Sequence, residues 1–209
     1  GIALGIFSAI KQYKWQDTFV SVMSYLSMSL PQSWICLVLL TVFVLKLRWL
    51  PASGLRNLMA SGMTPWESFV DLVRHMVLPI VCMTIPGFGS WARYQRAAFL
   101  EAKNQDYVRT ARSKGLSEKT IRWKHILRNA SLPTVTMVAG MLPGVVTSSV
   151  LVESVFAIPG LGGALTGAAS RRDYPMAMAS LLIVGLLSLI GILLSDVLYA
   201  VVDPRIRYK

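Results

Sequence analysis

Residues 174–195 read YPMAMASLLIVGLLSLIGILLS, 22 residues without a charge. A helix needs about 20 apolar residues to cross the ~30 Å hydrocarbon core of a bilayer, so this stretch alone is long enough to span one. Two further stretches resemble it: Thr18 to Leu45 runs 28 residues and Asn129 to Val152 runs 24 without a charge. The composition agrees. Hydrophobic residues make up 54% of the 209 and charged residues 15%, against about a quarter charged in an average soluble domain. The mean hydropathy is +0.55. The sequence therefore reads as an integral membrane protein, which excludes a soluble enzyme, a disulfide scaffold and a disordered tail.

Working outward, the pattern predicts an all-α bundle with four complete spans and part of a fifth. Gly1 to Ile10 is apolar and covers roughly 15 Å as a helix, about half a bilayer. It reads as the tail of a truncated span, so the chain is expected to be the C-terminal part of a longer protein. The first complete span is expected within Tyr25 to Leu45, with Pro31 near its start and Lys46, Arg48 and the interfacial Trp49 closing it. Pro51 to Gly54 breaks the helix. Residues 58–74, with Glu67, Asp71 and Arg74 among apolar neighbours, read as a loop and a short interfacial helix. The second span, Met76 to Trp91, is expected to be short and interrupted by Pro79, Pro86, Gly87 and Gly89. Pro133 to Val152 is the third, with Gly140, Gly144, Ser148 and Ser149 as small packing residues. Residues 154–170, carrying Pro159, Gly160, Gly162, Gly163 and Gly167, read as a structured loop dipping back. Tyr174 to Val202 is the fourth span, closed by Asp203-Pro204.

The net charge is +11. In a soluble protein that balance points to nucleic acid; among membrane spans it reads as the excess of basic residues in cytoplasmic loops. No nucleic-acid partner is expected, and some basic residues face anionic lipid. With four crossings, segments 11–24, 93–128 and 203–209 share one side and hold 15 Lys and Arg, while 46–75 and 153–173 hold 6. The first side, with the C-terminus, is therefore expected to be cytoplasmic. Cys36 and Cys82 both fall in apolar runs and read as small buried hydrophobes rather than as a disulfide framework. His75 and His125 lie 50 residues apart, which gives no metal-ligand spacing. No phosphate-cradling Gly-x-x-x-x-Gly-Lys-Ser/Thr motif occurs.

Segment 93–128 is the polar centre of the chain, with ten Lys or Arg against Glu101, Asp106 and Glu118. At 36 residues it is longer than a helix–helix connection requires. Tyr107 to Lys114 is helix-forming, Gly115 is a helix stop, and Ser117 can cap the next helix. Two readings stand for such a hairpin: a charged surface element, or a docking element for a soluble partner. A transporter without a nucleotide site must borrow a motor, which fits the second.

The residues here carry a resemblance. Tyr107-Val108-Arg109-Thr110-Ala111-Arg112-Ser113-Lys114-Gly115-Leu116 resembles the EAA loop of ABC-importer inner-membrane permeases, most closely the dipeptide and oligopeptide branch. His125 to Pro133 resembles the end of that loop. Val152-Glu153-Ser154-Val155-Phe156-Ala157-Ile158-Pro159-Gly160-Leu161-Gly162 resembles the extracytoplasmic segment after the fifth family helix. Arg172-Asp173-Tyr174-Pro175, Asp203 to Tyr208, Ser29-Leu30-Pro31 and Trp49 to Gly54 fit the same branch. Arg109 and Thr110 stand at the Glu-Ala positions of the general pattern, and Leu132-Pro133 falls later than that pattern places it; both departures are usual in the peptide branch.

The resemblance implies a type I ABC importer permease fold of six helices, of which this chain begins within the second. It implies a non-catalytic subunit in the inner membrane that works with a second homologous permease, two cytoplasmic ATPase subunits and an extracytoplasmic substrate-binding protein. ATP is then bound by the partners, and this chain holds no cofactor or metal. Arg109, Thr110, Ala111, Lys114, Gly115, Leu116 and Ser117 become the ATPase-docking candidates. Glu153, Phe156, Pro159, Gly160 and Gly162 become the extracytoplasmic candidates. Relatives handle dipeptides, longer peptides, glutathione and nickel chelates.

Among single residues, Asp196 sits inside the last apolar run and reads as lying at the cytoplasmic interface near Arg205 or Arg207. Glu153 and Asp173 either contact the binding protein or are solvated. The methionines read as flexible packing. The alternative function is a self-sufficient secondary transporter or channel. That requires paired charges or a polar filter inside the spans, and only Asp196 approaches this. An intramembrane enzyme would need a nucleophile, paired-carboxylate or metal constellation in the spans, and none is present in the sequence.

Overall fold

The computed structural model describes residues 1–57, 62–131, 133–135, 137–138, 140–141 and 150–202, with side chains through residue 197. Among these residues every regular element is helical. In chain order they are α1 (Ile2–Ile10), α2 (Trp15–Ser29), α3 (Gln32–Leu39, continued by wider π-type turns over Leu40–Lys46), α4 (Pro65–Lys103), α5 (Asp106–Ser113), α6 (Glu118–Thr120, continued by π-type turns over Ile121–Ile126), α7 (Leu127–Ala130), α8 (Val150–Val155), α9 (Leu161–Arg171) and α10 (Tyr174–Val202). Two of them, Pro65–Lys103 and Tyr174–Val197, are long and apolar enough to cross a membrane; Trp15–Ser29 and Gln32–Lys46 make a third where the broken pair counts as one span. Along α10, Leu182, Leu186, Leu189 and Leu193 are all more than half exposed, an apolar stripe suited to lipid or to another apolar surface.

The described residues fall into two compact units. One is drawn from Gly1–Ser29, Gly87–Leu142 and Ile192–Lys209, the other from Leu30–Pro86 and Pro143–Gly191. In the first, α1 turns into α2 through Tyr13, whose φ is 66°. Asp17 in the first turn of α2 ties the unit together. Its carboxylate accepts from the Ser8 hydroxyl, from the Tyr13 N–H at 3.1 Å, and from Arg96 Nε and Nη2 at 2.7 and 2.8 Å. Gly89 lets α4 lie directly on α2: a Cβ there would overlap the Ser24 carbonyl. Gln95, only 1% exposed, donates to the Ala130 carbonyl at 3.3 Å and accepts from the Thr134 hydroxyl.

In the second unit Ile35, Cys36, Leu39, Leu78, Cys82, Val152 and Phe156 form one buried cluster. Cys36 and Cys82 are joined as a disulfide with a Cα–Cα separation of 5.8 Å, linking α3 to α4. This corrects the reading of both as small buried hydrophobes. Their burial is as expected, but a span of 46 residues between them gives no sequence cue to the pairing.

Several expectations about the spans change. The expected span within Tyr25 to Leu45 is two helices parted at Leu30-Pro31, because Pro31 cannot continue the ladder of α2 and instead opens α3 in extended geometry, φ −61° and ψ 138°. The expected short second span and the interfacial helix before it are one helix of 39 residues. Pro79 and Pro86 lie inside it without ending it. Its start is set by Thr64: Glu67 Oε2 accepts the Thr64 N–H at 2.8 Å while Thr64 Oγ1 accepts the Glu67 N–H at 3.3 Å, a reciprocal capping box with Pro65 in the first helical position. Segment 93–128 therefore begins inside α4, and the connection proper starts at Asn104. The expected loop 154–170 contains the helix Leu161–Arg171. Half of the expected third span, including Gly144, Ser148 and Ser149, lies outside the described residues, as do Leu132 and Asp203 to Lys209.

The disulfide makes a direct prediction. Maleimide should add nothing to the protein denatured without reductant and two labels after reduction, since both cysteines of the sequence are paired. The mass shift checks it.

Candidate functional site

The 104–130 segment folds as a helical hairpin because its stop signals are strong. Helix α5 ends with Gly115 at φ +73°, a left-handed residue that glycine adopts without strain. There the Gly115 N–H reaches the Arg112 carbonyl at 2.9 Å and the Leu116 N–H reaches the Ala111 carbonyl at 3.3 Å. These two bonds satisfy carbonyls the helix end leaves open. Two residues later the Ser117 hydroxyl accepts the Thr120 N–H at 3.3 Å and starts α6. The sequence reading of a hairpin around Gly115, with Ser117 as cap, matches this geometry.

The hairpin is fastened to α4 and α1 by a buried apolar cluster: Ala9, Phe99, Ala102, Val108, Ala111, Ile121, Ile126 and Ala130. Each large aliphatic or aromatic member contributes about 1.5–3 kcal/mol by leaving water. The Tyr107 hydroxyl donates to the Ala102 carbonyl at 3.1 Å, pinning the start of α5 to the end of α4. Across the turn, Glu118 accepts from Arg112 Nε at 2.8 Å and lies 3.8 Å from Arg122 Nε. The Arg112 hydrogen bond holds the Glu118 carboxyl below its ordinary range. The Arg109–Asp106 pair is different: at 3.8 Å, with both side chains almost fully exposed, it adds little.

The seven docking candidates thus divide. Ala111 is 5% exposed and faces the cluster, while Arg109, Thr110, Lys114, Gly115, Leu116 and Ser117 all lie on the outside. The outer set forms one continuous exposed rim along the end of α5 and the turn after it.

The second candidate group sits where α8 meets α9. Helix α8 ends at Ala157, left-handed with φ 49°, and the Ile158 N–H returns to the Glu153 carbonyl at 2.9 Å. Glu153 is neither solvated nor at the surface: it is 6% exposed. Its carboxylate accepts the Gly163 N–H at 2.6 Å, in the first turn of α9, where a negative charge meets the positive end of the helix dipole. The glycines make room for it. A Cβ on Gly160 would overlap the Glu153 carboxylate, and one on Gly162 would lie 2.7 Å from Val150 Cγ2. Phe156, 1% exposed, belongs to the buried cluster of its unit. Only Pro159 and its neighbours leave an outward edge, along a shallow groove with Ile158, Leu161 and Ala164. At the far end of α9 Asp173 caps α10, accepting the Met176 N–H at 3.1 Å. Asp196 is exposed, and Arg205 and Arg207 lie outside the described residues.

Sequence reasoning missed the Asp17–Arg96 pair and the stacking of Arg93 on Tyr25, with the guanidinium carbon 4.5 Å from the ring centroid. The one available signal was Asp17 itself, the only acid between Gly1 and Glu67. Among the described residues, no group of three or more His, Cys, Asp or Glu comes together to hold a metal ion.

Comparison with known proteins adds the following. The family described as the binding-protein-dependent transport system inner membrane component matches residues 1–208. The oligopeptide transport system permease protein AppB of Bacillus subtilis is 38% identical over 99% of this chain and 64% of its own length. The di/tripeptide transport system permease protein DppB of Pseudomonas aeruginosa is 37% identical over 100% of this chain and 66% of its own. The glutathione transport system permease protein GsiC of Escherichia coli is 35% identical over 100% of this chain and 63% of its own. The chain thus spans slightly less than two thirds of the length of these relatives.

The Glu153 cradle makes a steric prediction. Gly160→Ala should destabilise the α8–α9 junction by about 1–3 kcal/mol, as overpacking does, whereas Gly167→Ala, with nothing within 4 Å of the added Cβ, should be neutral or slightly stabilising. Hydrogen exchange of the Leu161–Arg171 amides in detergent checks both; equal protection in the two variants would contradict the cradle.

Proposed function

The chain belongs to the family of binding-protein-dependent transport system inner membrane components, and from that premise we propose that it forms half of the translocation pathway of an ATP-driven ABC importer. Its fold is the all-α membrane permease fold of that family. In this proposal it hydrolyses nothing and holds no cofactor; ATP is bound by two cytoplasmic ATPase subunits. A second homologous permease completes the pathway, and a substrate-binding protein delivers cargo from outside. The C-terminus and the 104–130 hairpin face the cytoplasm, in line with the loop charges. The cargo is of the peptide class. Oligopeptides, di- and tripeptides and glutathione, named for the three relatives, all carry a free carboxylate at the C-terminal end, along with a free amino group.

The observation that carries this reading is the hairpin. It is a helix and turn whose inner face is locked onto α4 by buried side chains and whose outer rim is exposed among the described residues. A motor can shift a conformational equilibrium only by its differential affinity for the two states. A docking helix that yielded on contact would dissipate that difference. In the proposed mechanism the rim of Arg109, Thr110, Lys114, Gly115, Leu116 and Ser117 seats in a cleft of the ATPase. Closure of the two ATPases carries the hairpins together, and α4 moves with its own hairpin because Phe99, Ala102 and the Tyr107 hydroxyl join them. The pathway then turns from inward-facing to outward-facing. The extracytoplasmic candidates Glu153, Phe156, Pro159, Gly160 and Gly162 serve by shaping the α8–α9 junction, with Pro159 at its accessible edge.

Gly115 tests the docking role. A β-branched residue is a backbone outlier at positive φ, at a cost of about 1–2 kcal/mol. Gly115→Val should therefore deform the rim, and Gly115→Asn should be tolerated better. In the reconstituted importer, Gly115→Val should abolish the stimulation of ATP hydrolysis by loaded binding protein while the subunits still co-purify. Wild-type coupling in Gly115→Val would remove the docking assignment.

Topology supplies a second check. In intact cells a membrane-impermeant amine reagent should spare Lys114 and Lys119, labelling them only in inverted vesicles, and a thiol reagent should reach Arg171→Cys only from outside. The opposite pattern would reverse the proposed orientation.

A further inference from the structure

Helices α2 and α4 line an open groove of about 450 Å³ within the first unit, inside the ~300–1,000 Å³ range of sites that hold small molecules. Its wall mixes apolar and polar groups: Tyr25, Met28, Tyr94 and Ala97 with Ser21 and Ser90, around two arginines, Arg93 and Arg96, three residues apart on α4. The two differ sharply. Arg96 is neutralised by Asp17 through two hydrogen bonds of 2.7 and 2.8 Å. Arg93 has no carboxylate partner among the described residues. Its guanidinium lies over the Tyr25 ring, 4.5 Å from the centroid, and its one polar contact is Nη1 to the weak acceptor Sδ of Met28 at 3.6 Å.

Arg93 also follows directly on the apolar turns of Met76 to Trp91. At the end of a span a long basic side chain can reach toward the interface, and here the Arg93 guanidinium lines the groove. The Tyr25 ring holds the guanidinium carbon 4.5 Å from its centroid, and an arginine so placed carries the forked N–H donors that can bind a carboxylate in bidentate fashion.

We propose that this groove is a cargo subsite in which Arg93, braced by Tyr25, receives the free carboxylate of a peptide in transit. The proposal rests on the permease reading above and deepens it: the carboxylate is a group common to the cargoes of that class, so a subsite reading it would accept peptides of differing side chains. Ser21 and Tyr94 bound the space next to the carboxylate, and Arg96, neutralised by Asp17, does not compete for the anion.

The test uses the assembled importer in nanodiscs, carrying Ser21→Cys as a reporter on the groove wall. Cys36 and Cys82 are fully buried and disulfide-paired, so a small thiol reagent reads position 21. Dialanine should slow the labelling, and dialanine C-terminal amide should need about tenfold more to slow it equally, the scale of one hydrogen bond to a charged group. Arg93→Gln should remove that preference, and Arg93→Lys should restore part of it. Equal protection by dialanine and its amide in the arginine form would overturn carboxylate recognition. Protection that tracks the phosphatidylglycerol content of the disc and ignores dialanine would overturn the cargo subsite in favour of a lipid phosphate. Stimulation of ATP hydrolysis by loaded binding protein is measured in the same discs. Intact stimulation without peptide protection sinks this proposal alone; no stimulation in the wild-type complex sinks the permease reading beneath it.

Discussion

The contact of Phe99 with Val108 and Ile121 is what the rest of the candidate site depends on. All three are at most 1% exposed, and they belong to α4, α5 and the turns after α6. A helix of eight residues is not stable alone in water; α5 exists because this cluster holds one of its faces. The ends of α5 then need only local chemistry: the left-handed Gly115 after it and the Tyr107 hydroxyl before it. The ion pair of Arg112 with Glu118 lies outside the cluster, half exposed, and adds orientation more than stability. The hairpin is thus an apolar object with a polar rim, which is the combination a docking element requires.

A second constraint comes from the membrane. Without water, backbone groups must be satisfied within the chain, so helix ends become the places where polar chemistry concentrates. Glu153 at the start of α9, Asp173 at the start of α10 and Glu67 at the start of α4 are all acids spent on helix N-termini. Asp17 and Glu118, which also sit in first turns, do more: each carboxylate pairs with an arginine on another helix. The exposed rim of the hairpin is cationic, with Arg109 and Lys114.

What could be read in advance followed local chemistry. The last helix was legible in full because an unbroken apolar run permits little else, and the hairpin was legible because Gly115 and Ser117 are strong punctuation. The 39-residue α4 was misread. Pro79, Pro86, Gly87 and Gly89 are breakers in water but are tolerated between packed helices, and Gly89 is there for close approach to Ser24. The start of α4 was in fact written in the sequence: Thr64-Pro65-Trp66-Glu67 carries a cap, a first-turn proline and a reciprocal acid. Glycines misled again at Leu161–Arg171, where they make room for the Glu153 carboxylate rather than a loop. Long-range pairings, Cys36 with Cys82 and Asp17 with Arg96, leave no periodic trace and needed the fold.

In the proposed docking role the buried and exposed halves of the hairpin divide the work. Ala111 and Val108 point inward, away from any partner, and pack in one cluster with Phe99. Arg109 and Thr110 depart from the general Glu-Ala pattern yet point outward, where side chains can change without disturbing the cluster. A surface built this way keeps its geometry fixed whatever side chains its rim carries. In the proposed role, the buried residues therefore hold the hairpin's shape and leave the exposed ones to meet the partner.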